Sequence, residues 1–165
     1  MESEKTRLEI NNNYFIQLLN DHIFSRPSFD GSVPQDIVFL AKSHQVSPIV
    51  HYQTKNKLLL QAYLQAVSSF TRRENLLLQI EESLRDIPFY TVKGISVARY
   101  YPVPQLRTMG DCDIIVHESD KEKARDVFLS IGFEEHTSEW DSAEWHFQKQ
   151  GLDFELHHRL LMMKL

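Results

Sequence analysis

Apolar residues at Leu59, Tyr63, Ala66, Phe70, Leu77, Ile80 and Leu84 recur at the three- and four-residue steps that line one face of an α-helix. No Pro or Gly interrupts them, which predicts one long helix from Lys57 to about Asp86, with Pro88 marking the break. Near the other end of the chain the period falls to two. Leu152, Phe154 and Leu156 take one face of a strand, and Asp153, Glu155 and His157 take the other. With Glu144 to Lys149 before it and Gln150-Gly151 between, this run predicts a hairpin. Phe89 to Val92 and the run from Asp111 to Val116 predict two more strands. Ser119-Asp120 ahead of Ala124, Val127, Phe128 and Ile131, with Gly132 behind, predicts a capped helix from Lys121 to Ser130. GFEEHTSEW suggests a further strand leaving that helix, and RLLMMKL begins another helix.

The first third is plainer. Leu8, Tyr14, Phe15, Leu18 and Leu19 give a partial helical stripe through about Phe24, and Arg26 to Pro34 has the Pro, Ser, Asp and Gly content of a loop. Pro34 and Pro48 each open a short helix where a missing N–H costs nothing. This region reads as scaffold. The order of helices, then strand, helix, strand, helix and hairpin predicts an α+β fold. A helical N-terminal region, 1–86, precedes a mixed sheet with helices packed on one face, 87–165.

Chemistry concentrates between Phe89 and Val116. The first strand ends in Lys93-Gly94, a turn of helix and a Pro-punctuated loop follow, and Arg107 stands just before Asp111 and Asp113. On a strand those two carboxylates point to the same side. Held together they repel, unless they share a proton or a hard divalent cation with oxygen ligands sits between them. An Asp-x-Asp alone is more often a solvated turn. Here it has company: a lysine, an arginine, and a third acid, Glu155, in another strand.

Composition narrows the field. The 165-residue chain is 42% hydrophobic and 25% charged, an ordinary globular balance. Its net charge of −5 argues against a surface that tracks extended nucleic acid by phosphate contacts. No apolar run approaches bilayer length, so no membrane is expected. The polar start MESEKTRLEINNN lacks the organisation of an export signal. Cys112 is the single cysteine, which excludes an intramolecular disulfide and a Cys-rich zinc site and fits a reducing cytoplasm.

The separated pieces also resemble a family. Lys93-Gly94, Tyr101-Pro102, Arg107, Gly110-Asp111-Cys112-Asp113 and the late Glu155-Leu156-His157 are similar to the nucleotidyltransferase family often left uncharacterised in bacterial genomes. That family is a branch of the DNA-polymerase-β-like nucleotidyltransferase superfamily. The resemblance implies transfer of NMP, AMP first, from a nucleoside triphosphate to a hydroxyl on a small molecule or protein. It implies Mg²⁺, two ions, held by Asp111, Asp113 and Glu155, with Lys93, Gly94 and Arg107 on the nucleotide phosphates and His157 beside Glu155. One departure stands out: the superfamily's usual Gly-Ser is replaced by Lys93-Gly94-Ile95, with Ser96 one residue late. Relatives continue with a helical region after Glu-Leu-His, so the expectation is either an incomplete cleft or one completed by a second copy or partner chain. The competing expectation is an inactive nucleotide-binding or protein-interaction module of the same fold.

Other residues have quieter readings. His146 and His157 with Glu155 would suit zinc, but their spacing matches no compact zinc motif, and His157 is better read as orienting Glu155 or binding substrate. Cys112 alternates away from the acids and reads as a core thiol. Trp140 and Trp145 suit either the core or stacking on a base.

Overall fold

A computed structural model describes residues 4–26, 33–136 and 144–158. The expected helix over 159–165, Trp140, and most of the loop between Arg26 and Pro34 lie outside these residues. The chain divides into two compact units, 1–68 with 99–108 and 69–98 with 109–165.

The first unit is helical. Helix α1 spans Glu4–Ile23, α2 spans Gln35–Ser43 and α3 spans Ser47–Thr54. Their apolar stripes meet in a core of Phe15, Leu18, Ile37, Val38, Ala41, Val50 and Leu59. Pro34 caps α2, and Pro48 occupies the first turn of α3. Asn11 Nδ2 donates to Asp36 Oδ2 at 2.8 Å, tying α1 to α2. Beyond α3, the expected long helix starts later than its periodicity predicts. Asn56 Oδ1 accepts the Leu58 N–H at 2.9 Å and tightens Lys57–Leu59 into a 3₁₀ turn. Helix α4 then runs over Leu60–Ser83, and the division between the units falls within it.

The second unit carries the sheet. Strand β1 is Phe89–Val92, α5 is Gly94–Ala98, β2 is Asp113–Val116, and α6 is Lys121–Ser130. Strand β3 is Glu134–Glu135, β4 is Glu144–Lys149 and β5 is Leu152–His157. Their order is β1-β2-β5-β4-β3, and β2–β5 is the parallel pair among otherwise antiparallel neighbours. The sheet is therefore mixed, as the alternation of elements predicts.

Two local devices set its connections. Gln150 and Gly151 both have positive φ, 54° and 69°, the backbone signature of the tight turns that match strand twist. At the end of α6, Gly132 at φ 85° lets its N–H bond Leu129 while Phe133 N–H bonds Phe128. The Phe128 and Phe133 rings meet at 5.1 Å, the apolar contact that accompanies such a helix end.

Alternation sorts the sheet into two faces. Ile114, Val116, Phe147, Leu152, Phe154 and Leu156 join one core with Phe70, Leu76, Ile80 and Leu84 from α4 and its extension, and Ala124 and Phe128 from α6. Asp113, Glu155, His157, Glu144 and His146 share the opposite parity. Two faces of one sheet thus have different tasks: one is packed with hydrocarbon, the other lined with titratable groups.

Candidate active site

The parallel pairing of β2 with β5 sets Asp113 opposite Glu155 and Ile115 opposite His157. The antiparallel pairing of β5 with β4 sets His146 opposite Glu155 and Glu144 opposite His157. Five titratable side chains from three adjacent strands therefore crowd one end of the polar face. Strand β2 begins at Asp113, later than the predicted run, because β1 ends at Val92, its partner. Asp111 still follows the line of the strand: Cys112 N–H donates to Asp153 O at 3.2 Å, and Glu155 N–H to Cys112 O at 2.9 Å.

Asp113 is wholly buried. A buried carboxylate is tolerated only when paired and hydrogen-bonded. Its Oδ1 meets Lys93 Nζ at 2.7 Å and His157 Nε2 at 3.1 Å. Its Oδ2 is buried with no hydrogen-bond partner. One oxygen thus takes both contacts and the other takes no hydrogen bond. The Lys93 ammonium reaches in from a side chain that is 67% exposed, and its bond to Asp113 holds it above the ordinary lysine value. Lys93 also has φ 55°, a left-handed conformation uncommon for a residue with a side chain. Backbone strain of this kind persists where the surroundings demand a particular side-chain direction.

Glu155 lies 3.3 Å from His157 Nε2 through Oε2 and 3.5 Å from His146 Nδ1 through Oε1. Burial, then the charges of Asp111 and Glu144, push its carboxyl above the usual carboxylate range, against the opposing pull of His146. One ligand atom each from Asp113, Glu155 and His157 falls within 4.8 Å of the others, and the same holds for Glu144, His146 and Glu155. Asp111 is in neither group among the described residues. It lines, with Glu155, His146, Gln148 and Asp153, a cleft of about 420 Å³ beside them. A cleft with three carboxylates on its wall repels a polyphosphate unless cations intervene.

Gly94 has a reason the sequence does not reveal. It sits at φ 30°, and a Cβ there would lie 2.9 Å from the Asp111 carbonyl oxygen. The missing side chain lets the turn after β1 touch the backbone just ahead of the paired acids. From the other side, Arg73 of α4 donates from Nη2 to the Gly110 carbonyl oxygen at 2.8 Å. Arg107 belongs to the other unit, where its guanidinium carbon lies 6.0 Å from the Tyr101 ring centroid. Cys112 is buried in the core and its thiol is pushed up to about 12 by burial.

The sheet therefore brings Asp113, Glu155 and His157 together and places Asp111 on the adjoining cleft. Glu144 and Arg73 were not visible as site residues. Glu144 shares strand parity with His146, which is a signal, but its importance depends on the cross-strand register. Arg73 reads in sequence as one charge in an Arg-Arg-Glu run.

The family model described as uncharacterised nucleotidyltransferase matches residues 31–164. The chain belongs to that family. The match takes in all of the sheet and every residue of the polar cluster, so the nucleotidyltransferase family and the acidic site coincide on the same strands. Comparison with curated proteins and with solved structures gave no match. The α+β class expected for the family is the class observed, a helical region followed by a mixed five-stranded sheet. No helix among the described residues is long and apolar enough to cross a membrane.

Proposed function

We propose that this nucleotidyltransferase moves a nucleoside monophosphate, AMP in our reading, from a nucleoside triphosphate to a hydroxyl of a small molecule or protein. The acceptor oxygen forms a bond to the α-phosphorus, the bond from that phosphorus to the bridging oxygen breaks, and pyrophosphate leaves. The observation that carries the reading is Asp113: buried, opposite Glu155 in register, with Oδ2 lacking any partner. A divalent cation fits that unmet oxygen and its oxygen-bearing neighbours.

Asp113 and Glu155 would hold magnesium, with Asp111 at the cleft for a second ion. When bound, such ions neutralise phosphate charge and lower the pKa of an attacking hydroxyl. The protein's own residues supply placement. Lys93 offsets the cost of burying the Asp113 carboxylate, and its exposed stem allows the ammonium to turn toward phosphate. His157 fixes the orientation of both carboxylates by contacting each through Nε2. Gly94 holds the Asp111 backbone against the turn after β1. Arg107 enters this reading through its place in the sequence pattern. The lone buried thiol at Cys112 supports a reducing, cytoplasmic setting.

A second reading has its own support. Lys93 already neutralises Asp113 at 2.7 Å, an arrangement suited to a module that binds nucleotide without turnover. One experiment separates the two. The protein is incubated with ATP labelled at the α-phosphate, Mg²⁺ and pooled candidate acceptors, and pyrophosphate and label transfer are followed. Loss of turnover by at least about a hundredfold in Asp113→Ala supports the enzyme. Turnover that persists in that variant rejects the assignment, and nucleotide binding without pyrophosphate release favours the second reading.

A further inference from the structure

The ladder between β1 and β2 carries the titratable face one strand further. Val92 lies opposite Asp113 and Tyr90 opposite Ile115. Residues directly opposite in an antiparallel pair stand on the same side of the sheet. Tyr90 and Val92 therefore share the face of Asp113, while Phe89, opposite Val116, packs against the core. The face is built in rows that cross the strands. One row runs Val92, Asp113, Glu155, His146, and the next runs Tyr90, Ile115, His157, Glu144. Same-face residues on one strand are two residues apart, so the rows are separated by about 7 Å.

The two flanks of the Asp113 row differ in chemistry. On one side is the cleft of about 420 Å³ walled by Asp111, Asp153 and Glu155. On the other is the second row, whose far end is occupied by charge: Glu144 lies 3.2 Å from His157 Nδ1 and 3.5 Å from His146 Nε2. Its near end, Tyr90 and Ile115, is uncharged. Tyr90 is 73% exposed, the most exposed large hydrophobic side chain among the described residues of the second unit. The others there, Leu78, Val97 and Leu129, lie on α4, α5 and α6. A single exposed apolar residue is ordinary. This one stands on the sheet, one row from a buried carboxylate whose Oδ2 takes no hydrogen bond.

A nucleoside triphosphate has the matching division. Its phosphates carry the charge, its base is flat and neutral, and the ribose between them spans a distance comparable to the spacing of the rows. Carboxylates offer a base no flat surface, whereas a phenol ring does. We propose that Tyr90, with Ile115 beside it, seats the nucleobase when the phosphates lie over Asp113 and Lys93. This rests on the proposed function and adds to it the base subsite, leaving the acidic cleft on the opposite flank for the acceptor. A ring reads stacking area, not hydrogen-bonding edges, so the platform favours purines modestly over pyrimidines.

The test measures binding of two probes to the full chain by calorimetry in Mg²⁺: α,β-methylene-ATP, which cannot be cleaved at the α-phosphorus, and inorganic tripolyphosphate, which has no base. Tyr90→Thr removes the ring and keeps a strand-forming residue at the edge. It is expected to weaken the nucleotide analogue about 5- to 150-fold while moving tripolyphosphate less than about twofold. Tyr90→Phe is expected to bind both probes as the wild type does. In the wild-type complex the adenine H2 and H8 proton resonances are expected to shift upfield, and in Tyr90→Thr that shift is lost. Unchanged analogue affinity in Tyr90→Thr overturns the inference and leaves the proposed function standing. Equal losses for both probes also overturn it, because the tyrosine then serves the fold or the phosphate site. Ring-dependent binding without label transfer from ATP supports the platform and rejects turnover. A wild type that binds neither probe rejects both.

Discussion

Arg73 Nη2 donates to the carbonyl oxygen of Gly110 at 2.8 Å from an almost fully buried guanidinium. Its Nε has no partner, and burial lowers its pKa from the ordinary arginine value. A hydrogen bond from a charged group contributes about 1.5–3 kcal/mol, while burying the charge costs a comparable or larger amount. The two nearly cancel. Arg73→Met is therefore expected to change unfolding free energy by less than about 1 kcal/mol in urea titration. What it releases is the backbone carrying Asp111, so divalent-cation affinity is expected to fall severalfold. Unchanged cation affinity would show that the contact does not position the acid.

The two glycines of this region should behave differently. At Gly94 a new Cβ meets the Asp111 carbonyl oxygen at 2.9 Å and the φ is positive, whereas at Gly110 nothing lies within 4 Å. Gly94→Ala is expected to destabilise by about 1–3 kcal/mol, and Gly110→Ala by less than about 1 kcal/mol. Denaturant midpoints of the paired variants decide the point. Equal effects would mean that the close approach carries no strain.

Much of this geometry was legible in the chain, and what was legible was local. The alternation of Leu152, Phe154 and Leu156 predicts β5 with its bounds, and the pattern around Ala124 and Gly132 predicts α6. Each depends on neighbours a few residues apart. The pairing of Asp113 with Glu155 joins residues from opposite ends of the sheet region in a parallel ladder, and nothing in either strand specifies that register. The same holds for Glu144, whose two imidazole contacts depend on the hairpin's alignment. The start of α4 was misread because apolar periodicity continues through the 3₁₀ turn, which only the Asn56 side chain distinguishes.

Lys93 and the cation proposed for Asp113 compete for one task. Replacing Lys93 by Met removes the 2.7 Å ammonium contact and leaves His157 Nε2, at 3.1 Å, as the hydrogen-bond partner of the Asp113 carboxylate among the described residues. The variant is expected to melt below the wild type without divalent ions, and to gain more melting temperature from added Mg²⁺ or Mn²⁺ than the wild type does. Scanning fluorimetry across a cation series measures both. An equal gain in the two proteins would place the cation away from Asp113.

Cys112 offers a reporter beside the acids. Its thiol is fully buried and pushed up to about 12, so almost no thiolate exists at pH 8 and none is accessible. Native protein is expected to resist iodoacetamide over an hour, while urea-unfolded protein is alkylated stoichiometrically by mass spectrometry. Rapid labelling of the native state would mean that the segment between Gly110 and Asp113 opens readily.

In the helical unit, the buried His22 meets the Tyr52 ring edge-on at 5.8 Å, and its Nε2 has no hydrogen-bond partner. Burial lowers its pKa from 6.5, because the packed site disfavours the imidazolium. Between the lowered folded value and 6.5, the unfolded chain binds more protons than the folded one. Stability therefore rises with pH across that window, is complete above 6.5, and is lost as pH falls below it. Other groups titrate in the same range, so the useful quantity is a difference between proteins. Melting temperatures of the wild type and His22→Phe are expected to run parallel above about pH 7. Below about pH 6.5 the wild type should fall away from the variant. Curves that stay parallel down to pH 5 would show that His22 accepts its proton without disturbing the helical core.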